Sequence, residues 1–151
     1  MKKSEVVTPR PAFRILLVDD NRNGLLVRKS ILEELGFTVT ALSSPEDAIT
    51  AFQSSTFDLV ITDYQMPNLK GTDVIRIVRE LQPAFPIILI SGMVDALGLN
   101  EKNTGADYVI SKSSTEISHL VRSVNRLLRT GAPRKAVSSQ HGKYAAKPAI
   151  R

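Results

Sequence analysis

The sequence contains no cysteine, which excludes disulfides, thiolate metal sites and cysteine nucleophiles. It has only two histidines, His119 and His141. They are too far apart for a shared helical or turn-borne metal site and read as ordinary surface residues. No apolar run approaches the ~18 residues needed to cross a bilayer. The N-terminal stretch MKKSEVVTPRPAF is basic but lacks an apolar segment, so no secretory signal is expected and a cytoplasmic location is. Nothing resembles a winged helix or helix-turn-helix, so specific DNA binding is not expected.

What is present is 151 residues, 42% hydrophobic and 23% charged, the composition of one soluble globular domain with a real core. The net charge of +5 belongs to the ends. Arg134, Lys135, Lys143, Lys147 and Arg151 stand in 131–151 with no acid, and Lys2, Lys3 and Arg10 face only Glu5 in 1–12. The segment between them is mildly acidic. We therefore expect a disordered extension over 1–12, a folded domain over 13–130 and a flexible basic tail over 131–151. Such a tail gives at most weak, salt-sensitive affinity for acidic surfaces.

Within the domain, short apolar runs alternate with longer amphipathic ones. The expected strands are Arg14–Val18, Thr38–Leu42, Leu59–Thr62, Ile87–Ile90 and Tyr108–Ile110. Most are continuous apolar runs, as strands become when helices cover both faces of a parallel sheet. Helices are expected over Asn23–Leu35, closed by Gly36, from Ser44-Pro45-Glu46-Asp47 onward, and over Thr72–Leu81. The last, about Thr115–Thr130, carries Ile117, Leu120, Val121, Val124, Leu127 and Leu128 on one face. MVDALGLNEKNTG contains Gly98, Asn100 and Asn103, poor helix formers, and predicts a short, mobile fourth helix. Strands alternating with helices imply an α/β fold with right-handed crossovers, whose ligands bind at the carboxyl ends of the strands.

Those ends carry chemistry. The first strand runs into Asp19-Asp20, the third into Asp63, the fourth into Ser91-Gly92, and the fifth into Ser111-Lys112. Three carboxylates crowded together raise one another's pKa unless a cation is present. Mg²⁺ suits them, because it takes hard oxygen ligands and is commonly held by carboxylates together with phosphate oxygens. A hydroxyl and an ammonium suit the remaining phosphate oxygens. The pattern reads as a metal-assisted phosphoryl site with a carboxylate nucleophile. Asp63, standing alone opposite Ser91 and Lys112, is the better nucleophile candidate, and the adjacent Asp19 and Asp20 are the better metal ligands.

The motifs ILLVDDN, DLVITDYQMPNLKG, PIILISG and GADYVISK, in this order and spacing, resemble the response-regulator receiver domain of two-component signalling, in its stand-alone form. The resemblance covers about residues 13–130. It implies a flavodoxin-like (βα)5 fold with a five-stranded parallel sheet in the order 2-1-3-4-5, an order the general description of doubly wound folds already gives for a chemotaxis receiver. It further implies that Asp63 accepts phosphoryl from a histidine kinase or histidine phosphotransfer protein. Mg²⁺, with Mn²⁺ as the alternative ion, would be bound by Asp19, Asp20, Asp63 and the backbone carbonyl of Gln65. Ser91 would be the switch hydroxyl and Lys112 the phosphate contact. The expected activity is that of a phosphoacceptor that assists its own phosphorylation and dephosphorylation rather than of an enzyme. It would act as a monomer or weak dimer toward a downstream protein.

Two positions depart from the family. The aromatic usually found three residues before the lysine is replaced by Val109, with Tyr108 one place earlier, and the residue after the lysine is Ser113 rather than Pro. A shift of one residue on a strand turns a side chain to the opposite face. These departures give weight to a rival expectation, a receiver-like docking scaffold that works without phosphorylation. A third class, a Mg²⁺-dependent aspartyl phosphatase, commonly needs a second Asp two residues after the nucleophile, where this chain has Gln65.

Overall fold

A computed structural model describes residues 12–129. The expectations for the N-terminal extension and the basic tail lie outside the described residues, apart from Ala12. The chain alternates β1 (Arg14–Val18), α1 (Arg22–Glu34), β2 (Thr38–Leu42), α2 (Pro45–Ser54), β3 (Leu59–Asp63), α3 (Gly71–Leu81), β4 (Ile87–Ser91), α4 (Val94–Leu97), α5 (Glu101–Thr104), β5 (Tyr108–Ser111) and α6 (Glu116–Leu128). All five strands pair in parallel, in the order β2-β1-β3-β4-β5.

Alternation along the strands divides the core into two layers. Ile15, Leu17, Leu59, Ile61, Ile88, Ile90 and Ile110 face one side, where α1 and α6 cover them with Leu25, Leu32, Leu120, Val124 and Leu128. Leu16, Val18, Val60, Ile87 and Leu89 face the other, against Ala48 and Phe52 of α2 and Val74, Ile75 and Val78 of α3. Both faces being dry explains why β3 and β4 are buried at every residue.

Local signals account for the helix starts. Asn21 caps α1 by accepting from the Gly24 N–H at 2.9 Å, and Ser44 caps α2 by accepting from Asp47 N–H at 3.2 Å, with Pro45 at the first helical position. Gly36 follows α1 with φ 99°, a conformation glycine adopts without the Cβ penalty.

Three strands run one residue further than the apolar pattern indicates. Asp63 pairs with Ile90 and Ser91 with Ser111 in register, so polar residues close β3, β4 and β5 inside the hydrogen-bonded ladder. The fourth helix differs more. Gly98, at φ 62°, ends α4 after four residues, and Asn100 starts α5 through reciprocal bonds with Asn103. None of α4 is buried. With one turn each, no buried residue in α4 and only Thr104 buried in α5, both should exchange their amides at least about 100-fold faster than the middle of α6, since local opening follows local packing. Equal protection would refute that account.

Candidate functional site

The carboxyl ends of β1, β3 and β5 bring three acids and a lysine to one rim. Asp19 follows β1 and is held there by its N–H, which donates to the Leu42 carbonyl at 3.2 Å. Asp19, Asp20 and Asp63 each present a carboxylate oxygen, and the three lie within 4.8 Å of one another. Asp19 and Asp63 are buried, whereas Asp20 is exposed. Lys112 Nζ lies 2.9 Å from Asp63 Oδ1 and 3.9 Å from Asp19 Oδ2. The lysine reaches the acids because its N–H is anchored on the Ser91 carbonyl at 2.9 Å, one step past the strand ladder.

Ser91 is buried at the end of β4, next to Ile90, the register partner of Asp63. Its Oγ accepts from the Met93 N–H at 2.9 Å, which leaves its own proton free to donate. Gln65 is exposed in the loop between β3 and α3. That loop returns tightly. The Gly71 N–H donates to the Tyr64 carbonyl at 2.8 Å, and Asn68 takes a positive φ of 72°, a conformation Asn tolerates better than most residues.

The electrostatics are those of an anion-crowded pocket. Burial raises the pKa of Asp63 above the ordinary carboxylate value. The hydrogen bond from Lys112 opposes that shift, and the negative charge of Asp19 reinforces it. Three hard carboxylates with a single lysine among them form a donor set that fits a small divalent cation such as Mg²⁺.

Sequence reasoning missed two charged residues. Arg28, 6% exposed, donates Nη1 to Asp19 Oδ2 and Nε to Glu116 Oε2, both at 2.6 Å. Burial lowers its pKa, but the hydrogen bonds and charges of Glu116 and Asp19 outweigh that and raise it above the ordinary arginine value. The signal was in α1, where Leu25, Arg28 and Leu32 occupy the one face that is buried. A charge on an apolar helical stripe calls for a partner.

The departures near Lys112 behave as the strand period requires. Tyr108 packs with the layer under α1 and α6, and Val109 with the layer under α2 and α3. The tyrosine therefore does not replace the missing aromatic on the Val109 face.

Known proteins resemble the chain in sequence and in fold. The chain is 32% identical over 107 residues to the aerobic respiration control sensor protein ArcB of Escherichia coli, covering 69% of this chain and 14% of that protein. It is 29% identical over 127 residues to the gliding motility regulatory protein of Myxococcus xanthus, covering 80% and 16%. The chain thus spans only about a seventh of the length of these curated relatives. Among solved structures, the response regulator TrrA of Thermotoga maritima in complex with Mg²⁺-BeF superposes with a TM-score of 0.70 at 31% identity, covering 77% of this chain and 99% of that one. A response regulator receiver protein of Sinorhizobium medicae gives 0.68 at 34% identity, covering 77% and 94%. The family model for the response regulator receiver domain matches residues 15–125. That interval opens in β1 and closes in α6, taking in every strand and the whole acidic rim, and the chain accordingly belongs to the response-regulator receiver family of two-component signalling.

Proposed function

We propose that Asp63 is a phosphoacceptor, taking a phosphoryl group from the phosphohistidine of a histidine kinase or a histidine phosphotransfer protein. The observation that carries this reading is the Lys112 ammonium 2.9 Å from a buried Asp63 carboxylate inside a three-acid cluster. A free Asp63 oxygen attacks phosphorus in line, the new O–P bond forms, and the P–N bond breaks with its electron pair leaving on the imidazole, which then takes up a proton. Asp19, Asp20 and Asp63, with the Gln65 carbonyl, would hold Mg²⁺, with Mn²⁺ as the alternative ion. The ion supplies positive charge against the phosphoryl oxygens. Lys112 contributes a second positive charge, and Ser91 offers its free proton to the acylphosphate oxygens. The added charge of about −1.5 to −2 gives these donors a new anion to bind and shifts the surface read by a downstream protein.

Several relatives are named as kinases or sensors, among them histidine kinase 5 of Arabidopsis thaliana and sensor protein GacS of Pseudomonas syringae. That supports a phosphohistidine donor. No helix among the described residues is long and apolar enough to cross a membrane, in keeping with a cytoplasmic signalling module. The chain would act as a monomer or weak dimer, without specific DNA binding. A second reading, a docking scaffold independent of phosphorylation, draws on Val109 standing where the family has an aromatic.

The two readings separate on ligand-linked stability. Mg²⁺ with beryllofluoride, a phosphoryl mimic, should stabilise the wild type by about 2.7 kcal/mol at a hundredfold excess over Kd and leave Asp63→Asn unmoved. A wild type whose melting curve ignores both Mg²⁺ and beryllofluoride would favour the scaffold.

A further inference from the structure

Arg28 sits where the buried stripe of α1 would otherwise be apolar, and its two hydrogen-bonded atoms serve two different elements. Nη1 holds Asp19 at the acidic rim and Nε holds Glu116 in the first turn of α6, each at 2.6 Å. Space for the guanidinium depends on Gly24. A Cβ there would stand 3.0 Å from Arg28 Nη1 and 3.5 Å from Asp19 Oδ2. Asp19 is thus occupied on both oxygens, with Oδ1 accepting the Asn21 N–H at 2.9 Å and Oδ2 bound to Arg28.

We propose that Arg28 is a positioning residue that competes with the divalent cation for Asp19, so that metal binding at the rim and the hold of Arg28 on Glu116 in α6 are coupled. This inference rests on the reading of the rim as a divalent-cation site. A carboxylate oxygen donating to Mg²⁺ gives up electron density that a short, charge-assisted bond to arginine also needs. The same two positive charges then repel across Asp19. With the metal bound, the guanidinium relaxes from Asp19 and leans on Glu116, its remaining carboxylate. With the metal gone, Arg28 fills the place of the missing charge and keeps Asp19 paired. Because coupling is reciprocal, whatever strengthens the Arg28–Glu116 bond favours the metal-bound rim. The start of α6 is thereby linked to the pocket without passing through Ser91 or Lys112.

A merely structural ion pair makes a different prediction. Replacing a buried pair with well-packed neutral groups is often neutral or stabilising for the fold, and it would leave metal affinity alone. Competition instead predicts opposite signs for removing Arg28 together with Glu116 and for removing the Glu116 charge alone. In the full chain, calorimetric titration with MgCl₂ should show the double variant Arg28→Met/Glu116→Gln binding Mg²⁺ about tenfold more tightly than wild type. Glu116→Gln alone should bind roughly threefold more weakly, because Arg28 then has only Asp19 to hold. Unchanged affinity in both variants, or changes of the same sign, would overturn the proposal while leaving the metal site intact. No Mg²⁺ binding by wild type and variants alike would overturn the reading of the rim and this inference with it.

One measurement needs no variant. In the wild type, the Arg28 side-chain Nε–H resonance should shift on MgCl₂ addition in step with the backbone amides of Asp19 and Asp20. Amides that respond while Arg28 Nε–H stays fixed would overturn the coupling.

Discussion

Replacing Gly71 with Ala should destabilise the protein by about 3 kcal/mol, read as a lower urea midpoint at unchanged slope. On helix propensity alone the same change should stabilise by up to about 1 kcal/mol, so even the sign discriminates. The added Cβ would overlap the Asp63 carbonyl oxygen, and would lie 2.8 Å from Leu89 Cδ1 and 3.0 Å from the Asp63 carbonyl carbon. Two of these three atoms are backbone of a fully paired central strand, which cannot swing aside as a side-chain tip can. Relief would require α3 to back away from β3, breaking the Gly71 N–H bond to the Tyr64 carbonyl and opening the packing of Val74, Ile75 and Val78 on the sheet. The loop that carries Gln65 would move with it. A variant as stable as wild type would show that the α3 start is looser than this close approach implies.

Asp63→Asn should raise the stability of the metal-free protein by about 0.5–2 kcal/mol, the range seen when a strained functional group is relieved, while removing phosphoryl acceptance altogether. Asp63 is 6% exposed beside Asp19, and burial first, with the Asp19 charge in support, raises its pKa despite Lys112. The sign follows from linkage. An acid whose folded pKa lies above its unfolded value favours the folded state when protonated and opposes it when ionised. The advantage of Asn over Asp should therefore be absent below the unfolded pKa, grow as pH rises from there to the folded pKa, and stay level above it. Denaturation of both proteins in metal-free buffer across that range checks it. Wild type more stable than Asp63→Asn at neutral pH would mean that the Lys112 bond outweighs desolvation.

Much of the fold was legible because its physical causes are local. Dry faces on both sides of the sheet demand runs such as IILI and RILLV, and the Ser44-Pro45 start announces its helix, whereas the Asn21 cap of α1 emerged only with the structure. The closeness of Asp19, Asp20, Asp63 and Lys112 was legible because strand ends converge in a parallel sheet. Strand order 2-1-3-4-5 came from the family resemblance, since nothing in a single apolar strand names its neighbour. The division of the fourth helix was half visible. Gly98 and Asn100 marked it as poor, but the Asn100–Asn103 box that starts a separate turn is a pairing of side chains, not a propensity. Arg28 was hidden for a different reason. Its partners, Asp19 and Glu116, are 9 and 88 residues away, so only the tertiary fold shows why a charge is tolerated on the buried stripe of α1.

The central claim is that Asp63 is the phosphorylated residue, and intact-mass spectrometry of the full chain with acetyl phosphate and MgCl₂ tests it most directly. The wild type should gain the mass of one phosphoryl group, mapped by borohydride trapping and peptide analysis to Asp63. The gain should vanish on chelation of Mg²⁺ and in Asp63→Asn. A wild type that gains nothing, or an adduct that persists in Asp63→Asn at the wild-type level, would contradict it.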